Sequence, residues 1–223
     1  MKTLDVITIG RSSVDLYGQQ VGGRLEDMGS FAKYIGGSPT NIACGTARLG
    51  LKSGLITRVG DEHMGRFIRE QLVREGVDVR GVATDPERLT ALVILGIRDE
   101  DSFPLIFYRE NCADMALCED DIDERLIADT RAMLATGTHL SHPRTEAAVI
   151  KALDLARELH RDQRRKGTEI PYLGHLLAVA GAAEADRPAI AKALAELAAF
   201  LPEISGGLDV TFETLALPQG AVT

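Results

Sequence analysis

The 223-residue chain is 45% hydrophobic and 26% charged, enough apolar material for one large domain or one and a half ordinary ones. A formal net charge of −8 excludes a general nucleic-acid or anionic-membrane binder, so any anion must be met by particular local arginines. Three cysteines without CxxC spacing, no apolar run near the ~20 residues of a membrane span, and a start (MKTLDVITIG) unlike a signal peptide predict a cytoplasmic chain.

In chain order, LDVITIG (4–10) is a β-branched run ending in glycine, as expected of a buried parallel strand. Residues 38–50 read as a helix with Ser38 as N-cap and Pro39 at the first helical position. Residues 53–59 read as a strand, and 63–75 as a helix whose inner face carries Phe67, Ile68 and Leu72. Two strand-like runs, 89–98 and 103–109, are split by the charged turn RDEDS and predict a hairpin. DDIDERLIADT reads as an acidic helix, RAMLATG as a strand, and residues 143–160 as a long Ala/Leu-rich helix. This alternation predicts an α/β fold: a parallel sheet flanked by helices, plus a small accessory sheet from the hairpin and residues 17–35. Ligands of such sheets sit at the C-terminal strand ends, the side that would hold Asp15 and the turn at Gly36 and Gly37.

Residues 36–50, GGSPTNIACGTARLG, carry the sharpest functional signal. Without Cβ atoms, Gly36 and Gly37 let the backbone approach a ligand or adopt positive φ, and the Asn41 amide can donate to and accept from sugar hydroxyls. A plain Gly-rich turn entering a core helix is the alternative. The pattern GGxxxNxAxxxxxLG resembles the first signature of the PfkB/ribokinase family of carbohydrate kinases. LDVITIGRSSVDLYG resembles that family's opening strand and turn, and LITRVGDEHMGRFIREQLVREGVDV its second strand and Gly-Asp-x-x-x-Gly turn, so the resemblance runs from about residue 3 to about 158. PLIFYRENCADMAL and GTHLSHPRTEAAVIKAL carry a finer likeness to the branch that phosphorylates 5-dehydro-2-deoxygluconate in inositol catabolism.

The resemblance implies a ribokinase-like sheet in residues 1–158, with a β lid from about 16–35 and 89–110 that covers a small-molecule sugar acid and can pair two copies as a homodimer. It implies ATP and Mg as cofactors. Asp15, Gly36, Gly37 and Asn41 would bind sugar hydroxyls, and Tyr108 and Arg109 would meet the acid. Arg109 offers a planar fork for a carboxylate, or alternatively a surface salt bridge to Glu110 or Asp114. Asp15 could equally be a solvated turn residue. His139 and His142 flank Ser141 at a strand end without a third ligand nearby, so no metal site is assigned. Phe107 reads as lid packing and His63 as exposed.

Residues 159–223 lack the family's D-T-x-G-A-G-D-like anion hole, whose last Asp is the catalytic base; ISGGLDVT (204–211) is the nearest run and lacks the order. The kinase therefore reads as truncated, with its ATP half missing and turnover not expected. Residues 153–181, LDLARELHRDQRRKGTEIPYLGHLLAVAG, resemble the opening of an HD-type, guanosine-tetraphosphate-hydrolase-like phosphohydrolase. There Arg165 and Lys166 would contact nucleotide and His175 would bind metal, but no histidine follows His175 to complete a site. Residues 159–223 are thus expected to be a helical segment with an unassigned tail. A non-catalytic sugar-binding or dimerising module and a phosphohydrolase fragment remain the alternative readings.

Overall fold

The computed structural model describes residues 2–159 and 161–162. Arg165, Lys166, His175, Asp209 and the expected helical tail lie outside the described residues.

Strands β1 (Leu4–Ile9), β4 (Ser53–Gly60), β5 (Val82–Asp85) and β8 (Thr130–Ala135) form a parallel sheet in the order β5-β4-β1-β8. Its residues alternate between two faces, and each face has its own core. Helices α1 (Ser38–Arg48) and α2 (His63–Arg74) cover one, where Ala43, Cys44, Leu55, Val59, Ile68 and Leu72 pack. Helices α3 (Glu124–Ala128) and α4 (Pro143–Leu159) cover the other, against Ile7, Ile9, Ile56, Met133, Val149 and Leu153. This is the predicted three-layer arrangement. No helix among the described residues is long and apolar enough to cross a membrane.

A second sheet, in the order β3-β2-β6-β7, contains β2 (Ser13–Gly18), β3 (Phe31–Gly36), β6 (Ala91–Leu95) and β7 (Leu105–Tyr108). The β6–β7 pair is the expected antiparallel hairpin, and β2 runs parallel to β6. The Lys33 ammonium lies 4.0 Å from the Phe67 ring centroid, tying this lid to α2.

Four local expectations change. The lid begins at Ser13 rather than near residue 16, because β2 finds partners in both β3 and β6. Ser38 is not the N-cap of α1: it is the helix's first residue, and Gly37 caps at φ 101° with its carbonyl accepting the Asn41 N–H at 2.9 Å. The acidic run is not one helix, since Asp123 breaks it by capping α3 through the Arg125 N–H after a separate 3-10 turn at Glu119–Asp121. His139 stands in a 3-10 turn, Gly137–Ser141, beyond the strand.

Candidate active site

Strand β1 ends at Ile9, and only Gly10, Arg11 and Ser12 separate it from lid strand β2, so the main sheet and the lid meet at this point. Asp15 sits on β2 and is half-buried, not on a solvated turn. Its Oδ1 accepts the Ser13 hydroxyl at 3.0 Å. Burial pushes the Asp15 carboxyl above its ordinary pKa, opposed by the Ser13 hydrogen bond and the Arg11 charge.

Gly36 is needed for space. A Cβ there would lie 2.0 Å from Asp15 Oδ1, so the carboxylate rests on the bare Cα. Gly37 is needed for conformation and space together: its φ is +101°, and a Cβ would fall 2.3 Å from the Arg11 carbonyl oxygen. That same carbonyl accepts the Thr40 hydroxyl at 3.1 Å. Asn41 follows in the exposed first turn of α1. Asp15 is thus seated against Gly36, next to the Gly37 cap of α1, and Asn41 stands on the helix that this cap begins.

Arg109, just past β7, donates from Nε to Asp114 Oδ2 at 2.7 Å. The Asp114 side chain is 0% exposed, so this pair is buried rather than the surface bridge the sequence left open. Arg109 Nη2 and Asp114 Oδ1 are also buried and lack partners. Burial raises the Asp114 pKa, against the opposing charge and hydrogen bond of Arg109.

Tyr108 parts from Asp15. In the sheet register Asp15 lies beside Val93, and Val93 beside Phe107, so Asp15 and Phe107 share one lid face. Tyr108 is paired with Leu92, on the other face with Val14 and Ile35, which pack toward α2. Phe107, expected only to pack in the lid, is half-exposed on the Asp15 face, with the Arg11 guanidinium carbon 5.4 Å from its ring centroid.

The sequence reading passed over Arg11, Asp114 as a site residue, and the environment of His139. The available signal was a lone arginine directly after a buried strand, in GRSSVD. His139 is fully buried, with Nε2 3.1 Å from the Asp114 carbonyl oxygen. Burial, then the Arg109 charge, pushes its pKa down to about 3, so the ring is neutral and Nε2 donates to that carbonyl. His142 is exposed, and the two histidines do not converge. No group of three His, Cys, Asp or Glu among the described residues could hold a metal ion.

The sequence profile described as "pfkB family carbohydrate kinase" matches residues 3–168. The chain belongs to this family. The match runs past the boundary expected near 158 and takes in the start of the HD-like run, whose Leu153 and Ala156 already pack in the kinase core. A protein named 5-dehydro-2-deoxygluconokinase from Geobacillus kaustophilus is 42% identical over 172 residues, covering 77% of this chain and 49% of that relative. A second protein of that name, from Listeria monocytogenes, is 39% identical over 158 residues, covering 70% of this chain and 49% of its own length. The chain thus spans about half the length of the curated relatives it matches. Among solved structures, a PfkB protein from Polaromonas sp. superposes with a TM-score of 0.70 at 31% identity, over 86% of this chain and 63% of that one. A putative ribokinase II from E. coli, solved with ATP and Mg²⁺, shares the fold with a TM-score of 0.66 at 23% identity, over 86% of this chain and 70% of that one.

Proposed function

We propose that this chain carries the sugar-acid half of a PfkB-type kinase whose substrate is 5-dehydro-2-deoxygluconate, the compound named by its relatives. One observation carries the reading: the Asp15 carboxylate, seated over Gly36 next to the Gly37 cap of α1, lies in the electrostatic reach of Arg11. A carboxylate at that place accepts hydrogen bonds from two neighbouring hydroxyls, Asn41 adds a donor and acceptor, and Arg109 supplies cationic N–H groups for an acid.

ATP and Mg²⁺ are implied by the family, and the E. coli neighbour holds both. Among the described residues no group of three His, Cys, Asp or Glu could hold the cation. No phosphoryl-transfer step is therefore derived, and in this reading the described half binds and orients sugar without turning it over. The lid's exposed Ile106 and Tyr108, which share the face away from Asp15, support a second element, pairing of two copies through this sheet. The free cysteines Cys44, Cys112 and Cys118 are in keeping with a reducing, cytoplasmic setting.

The test is calorimetric titration of the purified chain with 5-dehydro-2-deoxygluconate, alongside Asp15→Ala and an ATP-dependent phosphorylation assay. The reading expects saturable binding in the parent chain, its loss in Asp15→Ala, and no phosphoryl transfer by either. Equal binding by the two chains would sink the sugar site, and turnover above the variant would sink the division of labour. Sedimentation velocity, with Ile106→Glu as control, tests the pairing.

A further inference from the structure

The strongest unexplained feature is the set of polar atoms left without partners around Arg11. Arg11 Nε, Ser12 Oγ, Arg109 Nη2, Asp114 Oδ1 and His139 Nδ1 are all buried, and none has a hydrogen-bond partner among the described residues. Ser12 and His139 are 0% exposed and Asp114 1%. Buried polar atoms are normally paired, so a group of them around one point calls for a ligand. Two are guanidinium N–H groups. Arg109 is held by Asp114, whereas among the described residues no hydrogen bond or ion pair fixes the Arg11 head group, which is stacked on Phe107.

The charges point the same way. Burial and then the Arg109 charge disfavour the charged form of Arg11, against the charges of Asp15 and Asp114, and both arginines act on Asp114 and on His139. Asp114 meets Arg109 by direct contact, Asp15 and Asp114 reach Arg11 only through space, and neutral His139 adds no positive charge. Between two half-buried guanidiniums of which one is unpaired, an anion relieves the repulsion and satisfies the free N–H groups. The Arg11 backbone is also held firmly. Its carbonyl is gripped by Thr40 and pressed against Gly37, so the side chain starts from the same turn that builds the Asp15 site. Phe107 brings the lid edge over the Arg11 guanidinium, and Arg109 follows it two residues later, within electrostatic reach of Arg11.

We propose that Arg11 is a specificity-determining residue: with Arg109, and with Asp114 as positioning counter-charge, it forms a subsite for the carboxylate of a sugar acid. The inference rests on the sugar-acid reading and adds the group that separates acids from neutral sugars. Asp15 handles the hydroxyl end, and Arg11 and Arg109 the acid end.

The experiment titrates parent, Arg11→Gln, Arg11→Lys and Asp15→Asn chains with three probes: 5-dehydro-2-deoxygluconate, the neutral 5-deoxy-2-ketohexose bearing hydroxymethyl in place of the carboxylate, and ATP. Arg11→Gln is expected to weaken the acid about 10- to 100-fold, the range of one charge-assisted hydrogen-bond pair, and to leave the neutral sugar unchanged. Arg11→Lys should recover part of the loss, and Asp15→Asn should weaken acid and neutral sugar together. Independently of any variant, the acid should protect Arg11 and Arg109 of the parent chain from phenylglyoxal, read by mass spectrometry, and the neutral sugar should not. Undiminished acid binding by Arg11→Gln, or labelling of Arg11 unaltered by bound acid, overturns the inference and leaves the sugar site standing. Weakening of ATP instead of the acid overturns it in favour of a phosphate contact. A parent chain that binds neither sugar overturns both this inference and the reading beneath it.

Discussion

Replacing Gly37 by alanine strikes the joint between lid and helix, and its cost can be worked from the geometry. The residue holds φ at +101°, which for a side chain bearing Cβ costs about 1–3 kcal/mol. The new Cβ would stand 2.3 Å from the Arg11 carbonyl oxygen, a backbone atom that cannot rotate aside. Forcing that contact apart by roughly 1 Å adds the cost of an overpacked core site, about 1–3 kcal/mol. The sum is about 2–6 kcal/mol against a typical domain stability of about 5–15. Two other glycines provide internal standards. Gly50 has φ +90° with nothing within 4 Å of its virtual Cβ, so Gly50→Ala incurs the strain alone. Gly45 lies inside α1 with open space and no positive φ, so Gly45→Ala should stabilise by roughly 0.5–1 kcal/mol. Urea unfolding followed by circular dichroism should rank the three as Gly45→Ala above parent, Gly50→Ala below it, and Gly37→Ala lowest. If Gly37→Ala and Gly50→Ala agree within about 0.5 kcal/mol, the Arg11 carbonyl yields freely and the clamp argument is wrong.

Gly36→Ala meets only the mobile end of Asp15, so it should cost little stability while displacing the carboxylate and abolishing sugar binding in calorimetry. Asp114→Ala leaves the Arg109 guanidinium without its partner and should destabilise by about 3–5 kcal/mol in the same urea assay, far more than Glu110→Ala at the exposed neighbouring position. His139, held near about 3 in the fold, takes up its proton only in the unfolded chain between its ordinary 6.5 and that value. Stability should therefore fall by roughly 1 kcal/mol from pH 7 to 5.5, and His139→Gln should flatten that slope in thermal melts. Asp85, lowered to about 2 by hydrogen bonds from the Glu87 and Arg88 backbone and from Arg58, contributes stability above its ordinary 3.8 that is lost as pH falls toward 2; Arg58→Ala should shrink that acid-side loss.

The parts of the fold that follow from local rules were legible in the chain. The β-branched run ending at Gly10, the α2 face of Ile68 and Leu72, and the hairpin around RDEDS each depend on residues close in sequence. What escaped was set by partners far away. The cap of α1 is Gly37 rather than Ser38 because a carbonyl from Arg11 fills the space a Cβ would need. Asp15 is a strand residue because Tyr34 and Val93 flank it in register. The same pairing places Tyr108 on the lid face away from Asp15 and Phe107, since neighbours along a strand face opposite ways. Asp114 was weighed only as a surface partner, and nothing local to RENCADMAL reports that its turn lies buried against the end of the Arg109 strand.

The position of β1 has a consequence for how the chain is made. Leu4–Ile9 leaves the ribosome before either of its sheet neighbours, yet it lies between them, with Val6 beside Ser53 and Ala132. Neither neighbour exists when it emerges. At roughly 5–20 residues per second, β8 follows β1 by about 6–25 s. Through that interval Ile7 and Ile9 have no Met133 or Val149 to pack on, and one edge of β1 is open to any strand that passes. Pairings this distant in sequence are slow to close even once complete, so nascent chains depend on a chaperone or on speed until residue 135 is out.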